Sequence, residues 1–342
     1  MMRITTIGLD LAKNVFQVHG VDSSGDVVVR RQLRRNAVLP FFAELAPCLV
    51  GLEACGSAHH WARELKQLGH DVRLMPPHYV KPYVKRSKND AADAEAICEA
   101  VSRPSMRFVP VKGTEQQSVL MVHRTRSLLI RQRTMLVNAL RSHLSEFGIV
   151  VAKGIENIAK LAAIVESNEK NHLPEAAVTA LTMIIGQLRD LKTRIDILER
   201  EIVCLHRKNP ESKRLATIPG IGPITASALS ATITDASQFA SGRQLAAWLG
   251  LVPRQNSSGG KERLGRISKQ GDQYLRQLLV VGATSMLGVV KKKRTPDDEW
   301  TIALLEKKPP RLVTVALANK MARIAWAVMS RQEVYRTRQA HA

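Results

Sequence analysis

The first thirty-odd residues alternate apolar and polar positions in the way that is typical of short strands. Three β-branched runs occupy residues 4–12, 14–22 and 27–33, and residues Ser23–Asp26 (SSGD) form a polar break between the second and the third. Glycine, serine and aspartate favour tight turns, so this break is a candidate hairpin turn. The pattern predicts three consecutive antiparallel strands.

The next forty residues alternate helical and strand periodicity. A helical stretch at 37–46 leads to an apolar strand at 48–54, then to a helix at 57–69 and a strand at 71–77. Strand–helix–strand units after a three-stranded meander build a mixed sheet with helices on its faces. We therefore predict an α/β domain with the element order of a ribonuclease-H-like fold, in which the first strand is central and the fourth lies beside it.

From about Glu115 the apolar positions recur with helical periodicity. Residues 115–148 fit one long helix, and residues 174–207 fit a second. The second helix repeats apolar residues with strict 3-4-3-4 spacing, which is the seam of a coiled coil. Its members are Leu181, Ile184, Leu188, Leu191, Ile195, Leu198, Ile202 and Leu205. Periodicity alone leaves open an antiparallel hairpin within the chain or pairing with another subunit; we expect self-association, as a dimer or a tetramer.

A third, mainly helical region begins near Ser212. It contains the turn IPGIGPITA, in which Gly220 and Gly222 separate two helical stretches. Such a turn either presents backbone N–H groups to a DNA phosphate, as in a helix-hairpin-helix element, or simply connects packed helices. Residues 253–271 are polar and basic, which indicates a surface loop, and residues 311–329 fit a buried amphipathic helix. The predicted domains are 1–112, 113–210 and 211–342.

Charge changes the interpretation of these helices. The 342 residues include 51 lysines and arginines against 30 aspartates and glutamates, a formal net charge of +21. Such a field attracts polyanions, so nucleic acid is the first partner to consider. An anionic membrane is the rival, but no run of about 18 apolar residues is present to span one. Four scattered cysteines contain no C-x-x-C pair, so a reduced, cytoplasmic protein is expected.

Four carboxylates stand at positions where the predicted fold would gather them. Asp10 lies near the end of the first strand and Glu53 near the end of the fourth, while Asp90 and Asp93 share one face at the start of a helix. Acidic residues in a first helical turn also offset the helix dipole, which is the ordinary explanation for the pair. Four converging carboxylates would repel one another unless divalent cations neutralised them, and oxygen-only ligands select Mg²⁺ or Mn²⁺. Two such ions are the usual machinery for displacement at phosphate.

Several motifs together resemble a known family. In chain order they are GLDLAKN, GLEACGSAHHW, KRSKNDAADAEAI, IPGIGPITA and AAWLGLVPRQNSSGGKERLGRISKQGDQYLR. They are similar to bacterial insertion-sequence transposases of the DEDD type, the IS110 family, and the serine-containing segment is closest to the IS1111 branch. The resemblance covers nearly the whole chain and involves two unrelated domains.

The resemblance implies a specific chemistry. It implies a RuvC-like first domain whose acidic tetrad is Asp10, Glu53, Asp90 and Asp93, and a serine nucleophile followed by glycine. Ser258 matches that serine, with Ser257 in reserve. A site composed across subunits, a transient phosphoserine link to DNA, and guidance by a structured noncoding RNA that pairs with donor and target DNA are also implied. The protein would then work in the bacterial cytoplasm, at the nucleoid.

Basic residues around the serine are candidate phosphate contacts, or else an ordinary solvated surface. They are Arg254, Lys261, Arg263, Arg266, Lys269 and Arg276. Two other functions remain open at this point. One is a metal-dependent junction nuclease in which water attacks and the serine loop only binds DNA. The other is a non-enzymatic coiled-coil protein that binds nucleic acid and whose carboxylates are structural.

Overall fold

A computed structural model gives the fold of the chain. It describes residues 3–85, 89–154, 157–167, 173–292 and 299–336. Contacts within the chain divide it into two compact units, Met1–Glu115 (unit one) and Gln116–Ala342 (unit two).

Unit one is built on a five-stranded mixed sheet. The strands are β1 Thr6–Leu11, β2 Val15–Val21, β3 Val27–Arg34, β4 Leu49–Glu53 and β5 Asp71–Met75. Their order across the sheet is β3-β2-β1-β4-β5. β1 pairs antiparallel with β2 and parallel with β4, so the first strand is central and the fourth lies beside it, as the sequence predicts. Asp22, just before the β2–β3 turn, accepts hydrogen bonds from the backbone N–H groups of Ser24 and Asp26.

Helices cover both faces of this sheet. In chain order they are α1 Val38–Ala43, α2 Ala58–Gln67, α3 Pro77–Val80 and α4 Asp90–Val101. Along β1 the side chains alternate between the faces. Ile7 and Leu9 are completely buried in an aliphatic and aromatic core that includes Phe42 of α1 and Trp61 of α2.

The opposite face of the sheet lies unusually close to α4. A Cβ atom added at Gly8 of β1 would overlap the Ala94 carbonyl oxygen and the Cys98 backbone nitrogen. One added at Gly51 of β4 would lie 2.8 Å from the Val101 Cβ atom. The two glycines therefore let α4 rest directly on the backbones of the two neighbouring strands.

Unit two is mostly helical. Its helices are α5 Thr114–Ser145, which begins two residues before the unit does, α6 Ile158–Ser167, α7 Glu175–Lys208, α8 Pro210–Leu215, α9 Pro223–Thr232, α10 Gly242–Trp248, α11 Gln273–Lys292, α12 Glu299–Lys307 and α13 Pro310–Arg331. The two long helices predicted from periodicity are α5 and α7. α5 ends three residues before the predicted end at Gly148.

The seam of α7 is largely buried within the single chain. Leu181 and Leu188 pack with Leu140 of α5 and Val165 of α6 in one hydrophobic cluster. Of the eight predicted seam residues, Leu181, Leu188, Leu191, Ile195 and Ile202 are buried and Ile184, Leu198 and Leu205 are half-buried. The first half of the seam therefore packs against α5 and α6 of the same chain, and self-association stays a prediction.

The C-terminal helices share a second aliphatic core. Leu215, Leu229, Leu245, Leu279 and Leu317 are buried in it, one each from α8, α9, α10, α11 and α13. α13 is long and apolar enough to cross a membrane by length and composition, but half of its most apolar stretch is buried inside the protein. That burial is typical of a core helix.

The polar segment 253–271, predicted as a loop, contains a β-hairpin. Strands β6 Pro253–Gln255 and β7 Leu264–Ile267 pair antiparallel, and nearly every residue of the two strands is exposed. Because neither face is buried, the strands carry no alternation of apolar and polar residues, and that signal is what identifies strands in a sequence.

Candidate metal centre and serine hairpin

The register of two parallel strands sets Asp10 and Glu53 side by side. Gly8 of β1 pairs with Gly51 of β4, and each carboxylate follows its glycine by two positions. Residues two apart on a strand point to the same face. Asp10 and Glu53 therefore lie at the same level and on the α4 side of the sheet.

Helix α4 brings the other two carboxylates to this place. Asn89 caps the helix by accepting a hydrogen bond from the Ala92 backbone N–H at 2.8 Å. The first turn then carries Asp90, which is exposed, and Asp93, which is half-buried. Residues 86–88 of the motif KRSKNDAADAEAI lie outside the described residues.

Three of the four predicted carboxylates converge. One carboxylate oxygen from each of Asp10, Asp90 and Asp93 lies within 4.8 Å of the others. Glu53 is outside this cluster, but its charge is close enough to act on the Asp10 carboxyl group.

The electrostatics of Asp10 are those of a crowded, partly buried acid. Burial raises the pKa of Asp10 from 3.8 to about 6, helped in turn by the negative charges of Asp93, Asp90 and Glu53. The backbone N–H of Leu11 opposes this with a hydrogen bond that lowers the pKa. The cluster therefore holds an excess of negative charge that a cation would relieve.

The donor set fits a divalent cation. The described cluster offers carboxylate oxygens only, and hard cations such as Mg²⁺ and Mn²⁺ prefer oxygen ligands. A soft metal would require thiolate or imidazole ligands, and this cluster has neither.

Gly8 and Gly51 also shape this site, although they are not among the residues predicted from the sequence. Their signal is the repeated tripeptide pattern, GLD at 8–10 and GLE at 51–53, in which a glycine precedes each acid by two residues. Without a Cβ atom, each glycine allows α4 to approach the strand that carries the acid. The two glycines thus determine how far Asp90 and Asp93 lie from Asp10.

Replacing Gly8 by valine is expected to disrupt the metal centre. The new side chain would overlap backbone atoms of α4, which cannot rotate away, so the helix must shift. We expect Mn²⁺ affinity, measured by calorimetry, to fall more than about tenfold, the lower limit for losing an outer contact to a metal ligand. Gly186→Ala is the control, because no atom lies within 4 Å of a Cβ added there. Unchanged affinity in Gly8→Val would refute the positioning role.

The serine pair occupies the tip of the hairpin formed by β6 and β7. Residues Ser258–Lys261 form a tight turn in which the Lys261 N–H donates to the Ser258 carbonyl at 3.1 Å. Gly259 and Gly260 have φ values of +55° and +75°. Two positive φ values in the centre of a two-residue loop define a type I′ hairpin turn, which favours glycine at both positions.

The two serine hydroxyls differ in their partners. The Ser257 Oγ atom accepts a hydrogen bond from the Arg263 backbone N–H at 3.1 Å, across the hairpin. The Ser258 hydroxyl is exposed and forms no hydrogen bond within the described part of the chain. Ser257 therefore has a structural task, and Ser258 presents an accessible hydroxyl.

The predicted basic contacts fall into two groups. Arg254 donates to the Ser268 carbonyl at 3.3 Å, and Arg276 donates to the Leu249 and Gln270 carbonyls at 2.9 and 2.7 Å. These two arginines brace the base of the hairpin. The other group is exposed and comprises Lys261, Arg263, Arg266 and Lys269. Its side chains are available to phosphates near the serine.

The two glycines of the IPGIGPITA turn differ in backbone conformation and in the space around them. Gly220 has a φ of +86°, and a Cβ there would lie 2.9 Å from the Met321 Cε atom of α13. Gly220 is therefore required by backbone conformation and packing. Gly222 is exposed, precedes α9 and has open space around its Cα atom. Of the two, Gly222 is the glycine that a phosphate can approach.

Two family models match the two parts of the chain that contain the carboxylate cluster and the serine hairpin. Residues 7–149 match a family model described as a DEDD transposase of the IS110 type, and residues 212–297 match one described as "Transposase IS116/IS110/IS902 family". The chain is 53% identical to a "Probable family 20 transposase" of Pseudomonas aeruginosa over 98% of its own length and 99% of the relative. It is 40% identical to the transposase of insertion sequence element IS1111A of Coxiella burnetii, over 98% and 92% of the two chains. A pilin gene-inverting protein of Moraxella bovis is 32% identical over 37% of this chain and 39% of its own.

Proposed function

The chain belongs to the IS110 family of DEDD insertion-sequence transposases, and from this premise we propose how its own residues cut and rejoin DNA. As a transposase it is an enzyme that acts on DNA, and its family implies a divalent metal ion. The convergence of Asp10, Asp90 and Asp93 within 4.8 Å is the observation that carries the proposal.

Asp10, Asp90, Asp93 and Glu53 would hold Mg²⁺, or Mn²⁺ in its place. When bound, such an ion supplies a Lewis acid that neutralises charge on a phosphate. Asp10 contributes only when its carboxyl group has lost its proton, and its raised pKa makes that step dependent on pH near 6. Glu53, at the same level of the sheet, adds negative charge beside Asp10, which raises the pKa of Asp10 and would also attract a divalent cation.

Ser258 is the proposed nucleophile. Its exposed hydroxyl at the tip of a type I′ turn is accessible to a phosphodiester, whereas the Ser257 hydroxyl is occupied by the Arg263 N–H. In the reaction a bond forms between the Ser258 Oγ atom and phosphorus, and a bond from phosphorus to a deoxyribose oxygen breaks. The serine hydroxyl gives its proton to water, and the departing deoxyribose oxygen takes a proton from water to become a hydroxyl. When the hydroxyl of a second strand attacks the phosphoserine, the bond from Ser258 Oγ to phosphorus breaks. A new phosphodiester forms and the serine hydroxyl is restored.

The exposed cations of the hairpin support this step. Lys261, Arg263, Arg266 and Lys269 would neutralise the attacked phosphate and its neighbours, since DNA phosphates are bound mainly by such side chains. Gly222 is a further backbone contact at the start of α9, in the manner of a helix-hairpin-helix element. Arg254, Arg276 and Gly220 would act indirectly, by holding the hairpin and the turn in shape.

The finer architecture completes the proposal. Residues 1–112 form a RuvC-like domain, residues 113–210 a helical region with coiled-coil character, and residues 211–342 the transposase domain that carries the serine. Asp10 and Ser258 must act on one phosphate, either within a subunit or between subunits of a dimer or tetramer.

A structured noncoding RNA of the element selects donor and target DNA, and the work takes place in the bacterial cytoplasm at the nucleoid. The pilin gene-inverting relative supports rejoining of DNA in addition to cutting.

Purification of the full chain from a host that carries the element tests the proposal. We expect one element-encoded RNA to copurify and recombination of donor and target DNA to require both that RNA and Mg²⁺. Treatment with ribonuclease should stop recombination, and added RNA should restore it. Recombination by protein freed of RNA would refute the guide, while recombination in excess EDTA would refute the metal centre.

A further inference from the structure

A groove with a mostly apolar lining and five cationic side chains lies on unit two, beside the serine hairpin. It has a volume of about 1300 Å³ and lies among the hairpin strands and helices α10, α12 and α13. We call it the tryptophan groove and define it by one aromatic and five cationic side chains: Trp300, Arg243, Arg266, Arg311, Lys320 and Arg323. Pockets for drug-sized molecules measure about 300–1000 Å³, so this groove has room for more than one nucleotide.

The charge of the groove selects a polyanion. Five of its lining side chains are cationic, and no carboxylate is among its lining residues in the part of the chain that the structure describes. Arg311 and Arg323 are separated by twelve residues along α13, which corresponds to about 18 Å at 1.5 Å per residue. This distance suits a chain of several phosphates better than one compact anion.

Trp300 adds a surface for a planar ring. It is 43% exposed, and the Lys320 Nζ atom lies 4.5 Å from the centre of its ring. The other tryptophan of the groove wall, Trp326, instead donates to the Ala236 and Phe239 carbonyls and is held in the core. An exposed indole among cationic side chains is an arrangement that suits unpaired nucleic acid, because bases stack on aromatic faces and cations attract phosphates. In a duplex those base faces are already covered.

The position of the groove indicates which strand occupies it. Its wall includes Pro253 of β6 and Ile267 of β7, at the base of the hairpin. Ser258 lies five residues beyond Pro253, a reach of about 16 Å along an extended strand. We propose that the tryptophan groove binds unpaired nucleotides of the DNA strand that Ser258 attacks, with a base on Trp300 and phosphates on Arg311 and Arg323. The proposal rests on Ser258 as the nucleophile.

Binding of a fluorescent 12-nucleotide single-stranded DNA to the full chain tests this. The Ser258→Ala background in EDTA prevents reaction, and anisotropy gives the affinity. Trp300→Ala is expected to weaken binding about tenfold, within the range for loss of one base–aromatic stack, and Trp300→Phe to restore most of it. Arg323→Gln should reduce the slope of log K against log salt by about 0.7, the value for one single-strand phosphate. Trp300→Ala should leave that slope unchanged.

Arg331→Gln is the matched control, because Arg331 is exposed on the same helix and does not line the groove. Photocrosslinking is a second measurement, with an iodinated base placed two to four nucleotides from the cleaved phosphate; we expect the crosslink in the peptide that contains Trp300. Binding within twofold of the parent in Trp300→Ala, or an equal loss for duplex DNA, would overturn the proposal. Tighter, Trp300-dependent binding of RNA of the same sequence would assign the groove to RNA instead.

These experiments distinguish an error in the groove assignment from an error in the nucleophile assignment. If the groove variants bind normally while the covalent adduct still requires Ser258, only the groove assignment is wrong. If an adduct forms in Ser258→Ala, the proposed function is wrong in its nucleophile, and the binding data must then be explained by another strand.

Discussion

Replacing Asp10 by asparagine is expected to abolish DNA cleavage and, at the same time, to stabilise the metal-free protein. The substitution removes one carboxylate of the cluster with Asp90 and Asp93, which is the proposed metal site. Loss of a residue that only hydrogen-bonds to a metal ligand lowers metal affinity or activity by about 10–100-fold. Loss of a ligand itself should therefore lower the cleavage rate by more than about 100-fold. A strand-cleavage assay measures this loss.

The stabilisation follows from the direction of the pKa shift. Burial and the neighbouring carboxylates raise the pKa of Asp10 to about 6 in the folded protein, whereas an unfolded chain has about 3.9. The folded state therefore binds the proton more tightly. The bound proton stabilises the folded state fully below pH 4, and this stabilisation is lost as pH rises through 6. At pH 8 without metal, Asp10→Asn should be more stable than the wild type by on the order of 1–2 kcal/mol, after allowance for partial solvation.

Calorimetry in EDTA at pH 5 and pH 8 separates this effect from ordinary mutational damage. The advantage of Asp10→Asn should be larger at pH 8, and Mg²⁺ should reduce or reverse it, because only the wild type gains from binding the ion. Asp26→Asn is the control, since Asp26 is exposed in the β2–β3 turn. A variant that is less stable than wild type in EDTA at pH 8 would contradict the crowded-carboxylate account.

The arrangement of the sheet was predictable because local signals determine it. Three β-branched runs with a polar turn give the meander, and the following strand–helix–strand order puts β4 next to β1. Once those strands are neighbours, Asp10 and Glu53 are neighbours too. The start of α4 was predictable for the same reason, because Asn89 is a helix-capping residue followed at once by helix formers.

Contacts between distant segments were not predictable. The closeness of α4 to the sheet depends on Gly8 meeting Ala94 and Cys98, more than eighty residues away, and periodicity contains no information about such a contact. The seam of α7 shows the same limit. Ile185 is buried, and Ile184, the predicted member, is only half-buried, because α7 packs against several helices of its own chain and not against one regular partner.

The tryptophan groove could not be found from the sequence either. Its cations come from α10, β7 and α13, between residues 243 and 323, and no short window contains them together. Trp300 and Lys320 form their cation–π contact across twenty residues and two helices. Only the fold assembles them into one surface.

Replacing Ser258 by alanine is expected to eliminate the covalent protein–DNA adduct and all strand exchange. The substitution removes the Ser258 Oγ atom, which is the proposed nucleophile, so no atom remains to form the bond to phosphorus. Nucleophile deletions in covalent enzymes cost on the order of 10⁶ in rate. The adduct is detected as a shift of the full chain on a denaturing gel with end-labelled DNA. Ser258→Cys retains a nucleophilic atom and should form a smaller amount of adduct.

Ser257→Ala separates the roles of the two serines. It removes the hydroxyl that accepts the Arg263 N–H, so the hairpin loses one exposed hydrogen bond worth about 0.5–1.5 kcal/mol while the Ser258 hydroxyl remains. Adduct formation should therefore persist at a reduced rate. Free cleaved ends without an adduct in the wild type would instead favour attack by water at the acidic cluster, with the hairpin as a DNA-binding element only. Unchanged recombination in both Ser258→Ala and Asp10→Asn would contradict both assignments, because strand exchange would then need neither the Ser258 oxygen nor the acidic cluster.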